Sequence, residues 1–469
     1  MPFSRHRLHD HPRKTQNDSH DLTVGPIWKK LLWFTLPIFL GNLFQQFYNA
    51  FDAWVVGKYL GDAALAAVSS SASLIHMMVG FFQGIAMGAG VLIAKSYGAK
   101  DHDTLSRTMH TDIAFGLASG AILTVLGVVF TPTILRWMNT PETVLPESIT
   151  YFRYYSYGVI FTVMYNIFVG ILHAIGDSKY PLYYLIFSTF VNIGLDLLLV
   201  GYFGLGVGSA AMATTISQGI SALLCCIRLM KIPESYRLQI RQICFDPALL
   251  KSIVHFGLPS GVQNSVINFA NLVVQTNINN FGDAAMAGCG AHQKIEGFVI
   301  MPVLSFAMAL STFVGQNLGA RKYDRVKKGV GFGIVCACLV AELTGLAEYF
   351  LAPKLIGIFA STDASIDFGT MHMRTICLFY FLLAFSHCIA GIMRGAGKAS
   401  VPMVTMLVCW CVIRVSYITI AVKFVNQLTT VSWAYPLTWT LSSIIFLIYF
   451  LKADWIHTFD RLESQENHA

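Results

Sequence analysis

Apolar residues in this chain neither alternate nor keep to one face of a short helix. They fill long blocks, interrupted at intervals by short stretches rich in Lys, Arg, Gly and Pro. A helix needs roughly 20 mainly apolar residues to cross the hydrocarbon core of a bilayer, and blocks of that length recur from end to end. The pattern predicts twelve spanning helices, at about 30 to 57, 65 to 94, 109 to 130, 150 to 174, 181 to 203, 207 to 230, 252 to 281, 286 to 315, 329 to 351, 373 to 394, 401 to 424 and 432 to 452. The fold class that follows is an all-α membrane protein.

Composition agrees with this pattern. The 469 residues are 55% hydrophobic and 12% charged, against about 25% charged in an ordinary soluble domain, and little is left over for a water-soluble domain. Residues 1–23 are polar and basic, with His6, His9, His11 and His20, and they lack the apolar stretch of a signal peptide. They are expected to form a flexible tail, and the irregular His spacing favours a solvated arm over a metal site. The ten cysteines fall mostly within spans, and the closest pairs, Cys336 with Cys338 and Cys409 with Cys411, point to different sides of a helix. Neither a disulfide framework nor a metal site is indicated.

Charge sets the expected orientation. Of the 32 basic residues, 24 fall on one side of the predicted spans, in the tails and in loops such as Arg321 to Lys328. Six fall on the other side (Lys58, Arg136, Arg153, Lys354, Arg374, Lys423), and Lys294 and Arg414 lie within spans. Basic loops stay in the cytoplasm, so both termini are expected on the cytoplasmic side. The net charge of +7 then reflects topology and anionic lipid, not nucleic acid.

The chain also repeats itself. Gly61-Asp62-Ala63-Ala64 and Gly98-Ala99 return 221 residues later as Gly282-Asp283-Ala284-Ala285 and Gly319-Ala320. The same offset carries Gly170, Gly176 and Pro181 onto Gly391, Gly397 and Pro402. Each copy holds six spans, an even number, so both enter the membrane in the same direction and are related by a pseudo-twofold axis along the membrane normal. The expected layout is a tail at 1–23, a bundle at 24–230, a linker at 231–248, a second bundle at 249–454 and a tail at 455–469. Two such bundles leave a cleft between them, as transporters do.

Polar groups inside spans are costly and therefore informative. On the first helix Gln45, Tyr48, Asn49 and Asp52 are spaced by three and four residues and form one stripe, expected to face protein. On the fifth, Asn192 and Asp196 are one turn apart in an apolar run. At 1.5 Å per residue, Asp52, Asp196 and Thr214 of the sixth helix fall in one layer, with Asn166 of the fourth deeper. A single polar chamber in the first bundle is expected. Burial and like charge both oppose keeping two carboxylates ionised side by side, so such a chamber suits uptake of a proton or another small cation. The alternative is that these groups only join helices by hydrogen bonds, worth about 0.6 to 2 kcal/mol in membranes.

The second bundle offers Lys294, Glu296, Glu342, Glu348 and Arg414 in a weaker pattern. Glu342 is expected to make a structural pairing, and His76, His173, His292 and His387 to be satisfied interior histidines.

With the repeat and these residues in view, the sequence resembles the multidrug and toxic compound extrusion (MATE) family, and within it the bacterial DinF-like branch, over about Leu22 to Ala453. The likeness is carried by Tyr48-Asn49-Ala50-Phe51-Asp52 before Val56-Gly57, by Gly170 to Pro181 with Gly176-Asp177-Ser178-Lys179, by Gly315-Gln316-Asn317-Leu318-Gly319-Ala320, and by Gly391-Ile392-Met393-Arg394-Gly395. The resemblance implies that Asp52, Asn192, Asp196 and Thr214 couple transport to a cation. The other well-known branch places carboxylates on the seventh and tenth helices, and this chain has none in either core. It also carries His173 where many relatives have Arg, a residue kept in the second half as Arg394.

The expected activity is cation-coupled antiport of small, amphipathic, often cationic compounds, with H+ favoured over Na+ as the coupling ion and no further cofactor. The protein is expected to work as a monomer in the lipid bilayer, without nucleic acid. A flippase for lipid-linked cell-wall or polysaccharide precursors is the runner-up, and would call for a basic central cavity. An enzyme is not expected, since neither His-Glu-x-x-His nor a nucleophile with its base occurs.

Overall fold

The computed structural model describes residues 20–138, 140–234 and 236–466, apart from the side chains at 62, 70, 72–74, 76–78, 269, 462, 463, 465 and 466. His6, His9, His11 and the His76 side chain lie outside this description. The first bundle comprises α1 (Ile27–Leu60), α2 (Asp62–Ala99), α3 (His102–Trp137), α4 (Leu145–Tyr157), α5 (Val159–Ala174), α6 (Lys179–Asp196) and α7 (Val207–Met230). The second comprises α8 (Pro247–Asn279), α9 (Asp283–Gly319), α10 (Tyr323–Ile356), α11 (Asp363–Ile376), α12 (Tyr380–Gly395), α13 (Ser400–Met406), α14 (Arg414–Phe424) and α15 (Leu428–Lys452), followed by a short α16 (Thr458–Glu466).

Several of these helices join into single spans. α4 and α5 are one crossing bent by 50° where Gly158 interrupts the apolar run. α6 continues through a π-helical segment, Leu197–Tyr202, and α13 reaches α14 through another, Leu407–Ile413. Among the described residues nine helices are long and apolar enough to cross a membrane, or ten counting the bent pair. The polar-rich α1 and α8 bring the total to twelve.

Local chemistry fixes the ends. Asp101 caps α3 by accepting the Thr104 N–H, Asp246 caps α8 by accepting from Ala248 and Leu249, and Thr362 caps α11 at Ser365. The repeat reappears in the backbone. The left-handed positions Gly61 (φ 86°), Lys100 (φ 59°) and Gly176 (φ 88°) recur 221 residues on at Gly282 (φ 91°), Arg321 (φ 54°) and Gly397 (φ 75°). Three turns of one half are thus rebuilt in the other, as a duplicated bundle requires.

Among the described residues, the close backbone approaches between the bundles lie in one half of the molecule, the half in which α1 begins and α16 lies. There α2 crosses α8 backbone to backbone. A Cβ on Gly88 would stand 2.3 Å from the Ile253 carbonyl oxygen, and one on Gly84 would stand 2.4 Å from the Gly261 Cα. Further along, a Cβ on Gly98 would meet the Gln316 carbonyl at 1.8 Å, and one on Gly319 the Lys95 carbonyl at 2.0 Å. Only residues without a side chain permit helices to pass so closely. Near mid-depth Asn42 donates to Ser305 at 3.0 Å.

Two segments expected as free tails are packed instead. Leu22 and Thr23 are buried, and the Leu22 carbonyl accepts from Arg325 and Asn317 while its N–H donates to Gln316 Oε1 at 3.1 Å. Trp455 and Phe459 are buried as well, with Lys95 Nζ 4.8 Å from the Phe459 ring centre. Their apolar side chains fill the seam at its closed end, which composition alone does not reveal. The linker is likewise anchored. Ile232, Tyr236 and Leu238 are buried, and His110 Nε2 sits 3.1 Å from the Gln239 backbone.

Candidate cation-coupling site in the first bundle

Asp52 lies eight residues before the end of α1, Asp196 closes α6 where the π segment begins, and Thr214 is seven residues into α7. All three ends belong to the face opposite the closed seam, so these residues share one layer, about 12 Å inside the end of α1 at 1.5 Å per residue. The carboxyl groups of Asp52 and Asp196 face each other at interacting range. Tyr48 faces both, together with Thr214. The π segment adds one residue to the turn after Asp196 and interrupts the regular hydrogen-bond ladder there, a device that recurs at functional sites.

What distinguishes this chamber is its unspent polarity. Tyr48 Oη, Asp52 Oδ1, both side-chain atoms of Asn192, both oxygens of Asp196 and Thr214 Oγ1 are buried without a hydrogen-bond partner. Buried polar atoms are ordinarily paired, and leaving one unpaired costs about 1–3 kcal/mol. So many on one spot form a ready set of hard oxygen donors. Two carboxylates have no proton to offer each other, so a proton or a metal cation between them satisfies the oxygens at once. The donors are all of types that hold H+ or a hard cation such as Na+.

The structure adds two residues that sequence spacing passed over. Tyr151 and Tyr155, one turn apart on α4, are buried against the same group, Tyr151 facing Asp52, Tyr48 and Asp196. The signal was present as a Tyr-x-x-x-Tyr repeat, but aromatic residues at that spacing are common on any packed helix.

Two expected members belong elsewhere. Asn49 is exposed. It and Tyr48 sit on opposite margins of the α1 stripe, 100° apart, so packing against α6 and α7 encloses one margin and leaves the other outside. Gln45 is half-buried on the same helix. Asn166 is outside the chamber; its side-chain oxygen accepts from Gln83 of α2 at 3.0 Å and its amide donates to the Thr162 carbonyl at 2.8 Å. A back-bond to its own helix and a partner on α2 together hold it toward α2, which depth alone could not tell.

Toward the closed end, His173 in the last turn of α5 is half-buried with Nδ1 unpartnered and its ring edge-on to Phe34 at 6.2 Å, so it is not a fully satisfied interior histidine. At the closed end Asp177 is held by Arg228 at 3.0 and 3.2 Å, and the Arg228 guanidinium lies 3.8 Å from the Tyr180 ring centre.

The sequence profile of the MatE family matches twice, over residues 37–198 and again over 259–420, once in each bundle. The chain belongs to the MatE family. Its MatE relatives include the probable multidrug resistance protein YoeA of Bacillus subtilis, 30% identical over 385 residues, covering 81% of this chain and 83% of that protein. The probable multidrug resistance protein NorM of Thermotoga maritima is 25% identical and covers 92% and 94%. In fold the MatE chain is similar to a multidrug resistance MATE family transporter of the MOP superfamily solved in an outward-facing conformation, with a TM-score of 0.86 at 22% identity over 92% of this chain and 97% of that one. A MOP superfamily transporter from Pyrococcus furiosus gives 0.85 at 21% identity, covering 91% and 96%. MatE proteins are membrane transporters rather than enzymes, and the two matches register the duplication that the glycine repeats first revealed.

Proposed function

We propose that this MatE protein is an antiporter that exports small amphipathic, often cationic compounds, driven by a cation bound between Asp52 and Asp196, with Asn192, Thr214 and Tyr48 completing the site. The observation that carries this reading is the convergence of unpaired buried oxygens on two facing carboxyl groups. The name of the relative YoeA, a probable multidrug resistance protein, supports drugs as cargo.

The closed seam lies on the side that carries most of the basic loops, which the charge rule assigns to the cytoplasm. The conformation is then outward-facing, in a bacterial inner membrane with both ends inside. In the exchange, a cation entering from outside occupies the chamber, the compound leaves outward, and the neutralised bundle returns to load from the cytoplasm. H+ is favoured because a single proton shared by two facing carboxyl groups removes one of two like charges. The protein acts as a monomer in this scheme, since each chain holds a whole site.

The lipid-precursor flippase is not favoured. Its basic cavity would draw on Arg414 and Lys294, but the Arg414 guanidinium is buried against Thr438 and stacked 4.7 Å from the Tyr435 ring centre, and Lys294 Nζ stands 5.4 Å from the Phe359 ring centre, leaving no cluster of basic groups among the described residues.

The test is a drug-susceptibility panel in a pump-deficient bacterium with wild type, Asp52→Asn and Asp196→Asn, followed by efflux under imposed pH or sodium gradients. Loss of resistance in both variants is expected, with efflux following the pH gradient. Full resistance in both would end this reading.

A further inference from the structure

The margin of α1 that lies outside the coupling chamber has a counterpart in the second bundle. The two family matches begin at residues 37 and 259, an offset of 222. That offset carries Pro37 onto Pro259, and it carries Asn42, Gln46 and Asn49 of α1 onto Asn264, Asn268 and Asn271 of α8. All six are amides, spaced by four and then three residues in each helix, so each set forms one row along one face.

The α8 row continues the line of Gly257 and Gly261. At about 3.6 residues per turn, these two glycines and the three asparagines fall within an arc of about 80°. The glycines are where α8 rests on α2. A Cβ on Gly257 would stand 2.0 Å from the Ile85 carbonyl oxygen, and one on Gly261 would stand 2.7 Å from that of Phe81. This face of α8 is therefore turned to the first bundle, and beyond the crossing Asn264, Asn268 and Asn271 are exposed on it. The α1 row is built the same way. Asn42 touches Ser305 of α9 across the bundles at 3.0 Å, and Gln46 and Asn49 further along are exposed. Each row thus begins at a contact between the bundles and runs on exposed. Amides left bare to hydrocarbon are costly, so both rows face water between the bundles rather than lipid.

The far end of the α8 face is set by its own hydrogen bonds. Gln293 of α9 donates to Gln275 Oε1 at 3.0 Å, and Gln275 donates to Asn279 Oδ1 at 2.9 Å. The chain leaves a carbonyl oxygen at Gln293 and N–H groups at Asn279 to meet a ligand. An amide side chain accepts through its oxygen and donates twice through its nitrogen. A row of them carries no charge and does not sort compounds by charge. Accepting from one hydroxyl and donating to the next, it matches a group dense in hydroxyls, whereas a bare aromatic surface leaves the amides to water.

We infer that the two amide rows are walls of the cargo path and that they select glycosylated compounds, whose sugar hydroxyls they bind. This inference deepens the exporter reading and rests on it. The aspartate chamber supplies the drive, and the rows supply part of the choice of cargo.

The experiment measures, by fluorescence, the affinity of the purified full chain in detergent for three compounds. Doxorubicin is aromatic and bears an amino sugar, its aglycone has the same rings without the sugar, and ethidium is a cationic aromatic without a sugar. Wild type is expected to bind doxorubicin more tightly than the aglycone. Asn268→Leu with Asn271→Leu, which keeps side-chain size and removes both amides, is expected to weaken doxorubicin about tenfold and to change the other two by less than about twofold. Gln46→Leu with Asn49→Leu should do the same from the other wall. Asn268→Gln with Asn271→Gln, which keeps the amides, should recover most of the loss. Unchanged doxorubicin affinity in both Leu pairs, or an equal loss for all three compounds, overturns the inference. So does wild type that binds doxorubicin and its aglycone alike. A structural role alone would lower the melting temperature and all three affinities together. If a Leu pair does not fold, Asn268→Ser with Asn271→Ser is read by the same criteria. Failure of the exporter reading shows elsewhere, as full efflux from Asp52→Asn and Asp196→Asn, whose amide rows are intact.

Discussion

Gln316 accepts the backbone N–H of Leu22 at 3.1 Å and donates its own amide to the Ala174 carbonyl at 2.8 Å. One side chain of the second bundle thereby ties the segment before α1 and the end of α5 together across the closed seam. Gly176 completes the joint, because a Cβ there would stand 1.9 Å from the His20 carbonyl oxygen.

Gln316→Ala removes both bonds and leaves buried backbone groups unpaired, at a cost of about 1–3 kcal/mol each. The closed seam should loosen. A spin-label pair placed across it should show a larger share of long distances than in wild type, and the melting temperature in detergent should fall. Identical distance distributions would show that the joint does not hold the seam.

Gly88→Ala tests the helix crossing directly. The new methyl would meet the Ile253 carbonyl oxygen and the Gly257 backbone at 2.3 and 2.5 Å, distances that only backbone movement relieves. Efflux should be lost while helicity is retained. Gly90→Ala, on the same helix with no atom within 4 Å, should leave efflux near wild type.

Asp177→Ala strands Arg228, a partly buried guanidinium bound to it at 3.0 Å. Breaking a buried pair from one side costs about 3 kcal/mol at the low end, and the quarter of the Arg228 side chain that stays exposed keeps the cost there. The melting temperature should fall, and Asp177→Asn should restore part of it by keeping a hydrogen-bond acceptor.

Acid should unlatch the linker. The Arg107 guanidinium bonds Asp246, and with the α8 cap this holds the Asp246 carboxyl below the usual aspartate range. A lowered value in the folded state means that this support is fully present above the unfolded aspartate value of about 3.9 and is lost as pH falls through the folded one. Amide exchange in the first turn of α8, corrected for its intrinsic pH dependence, should quicken only below that range in wild type. In Asp246→Ala it should be fast throughout.

Spacing along one helix carried part of the arrangement. Asn192 and Asp196 are four apart, hence on one face, and depth counted from the span ends placed Asp52 and Thr214 beside them. It failed where neighbours decide. Asn166 fits the same count of depth but turns to Gln83, and Tyr151 and Tyr155 carry no mark that separates a chamber wall from ordinary packing. The same holds in the second bundle, where Tyr380 bonds both His292 and Glu348 and the His292 and His372 rings meet edge-on, four residues on four helices that no spacing links.

The sequence alone determined the twelve spans, the duplication and the pairing of polar layers, because bilayer thickness, helical rise and the 221-residue register act locally and are written in order along the chain. Tertiary structure alone decided that residues near Leu22 and Trp455 plug the seam, that bundles touch through Gly88 and Gly98, and which buried oxygens go unpaired. Those outcomes depend on how two bundles of fixed shape pack against each other, and the atoms that meet there are far apart in the chain.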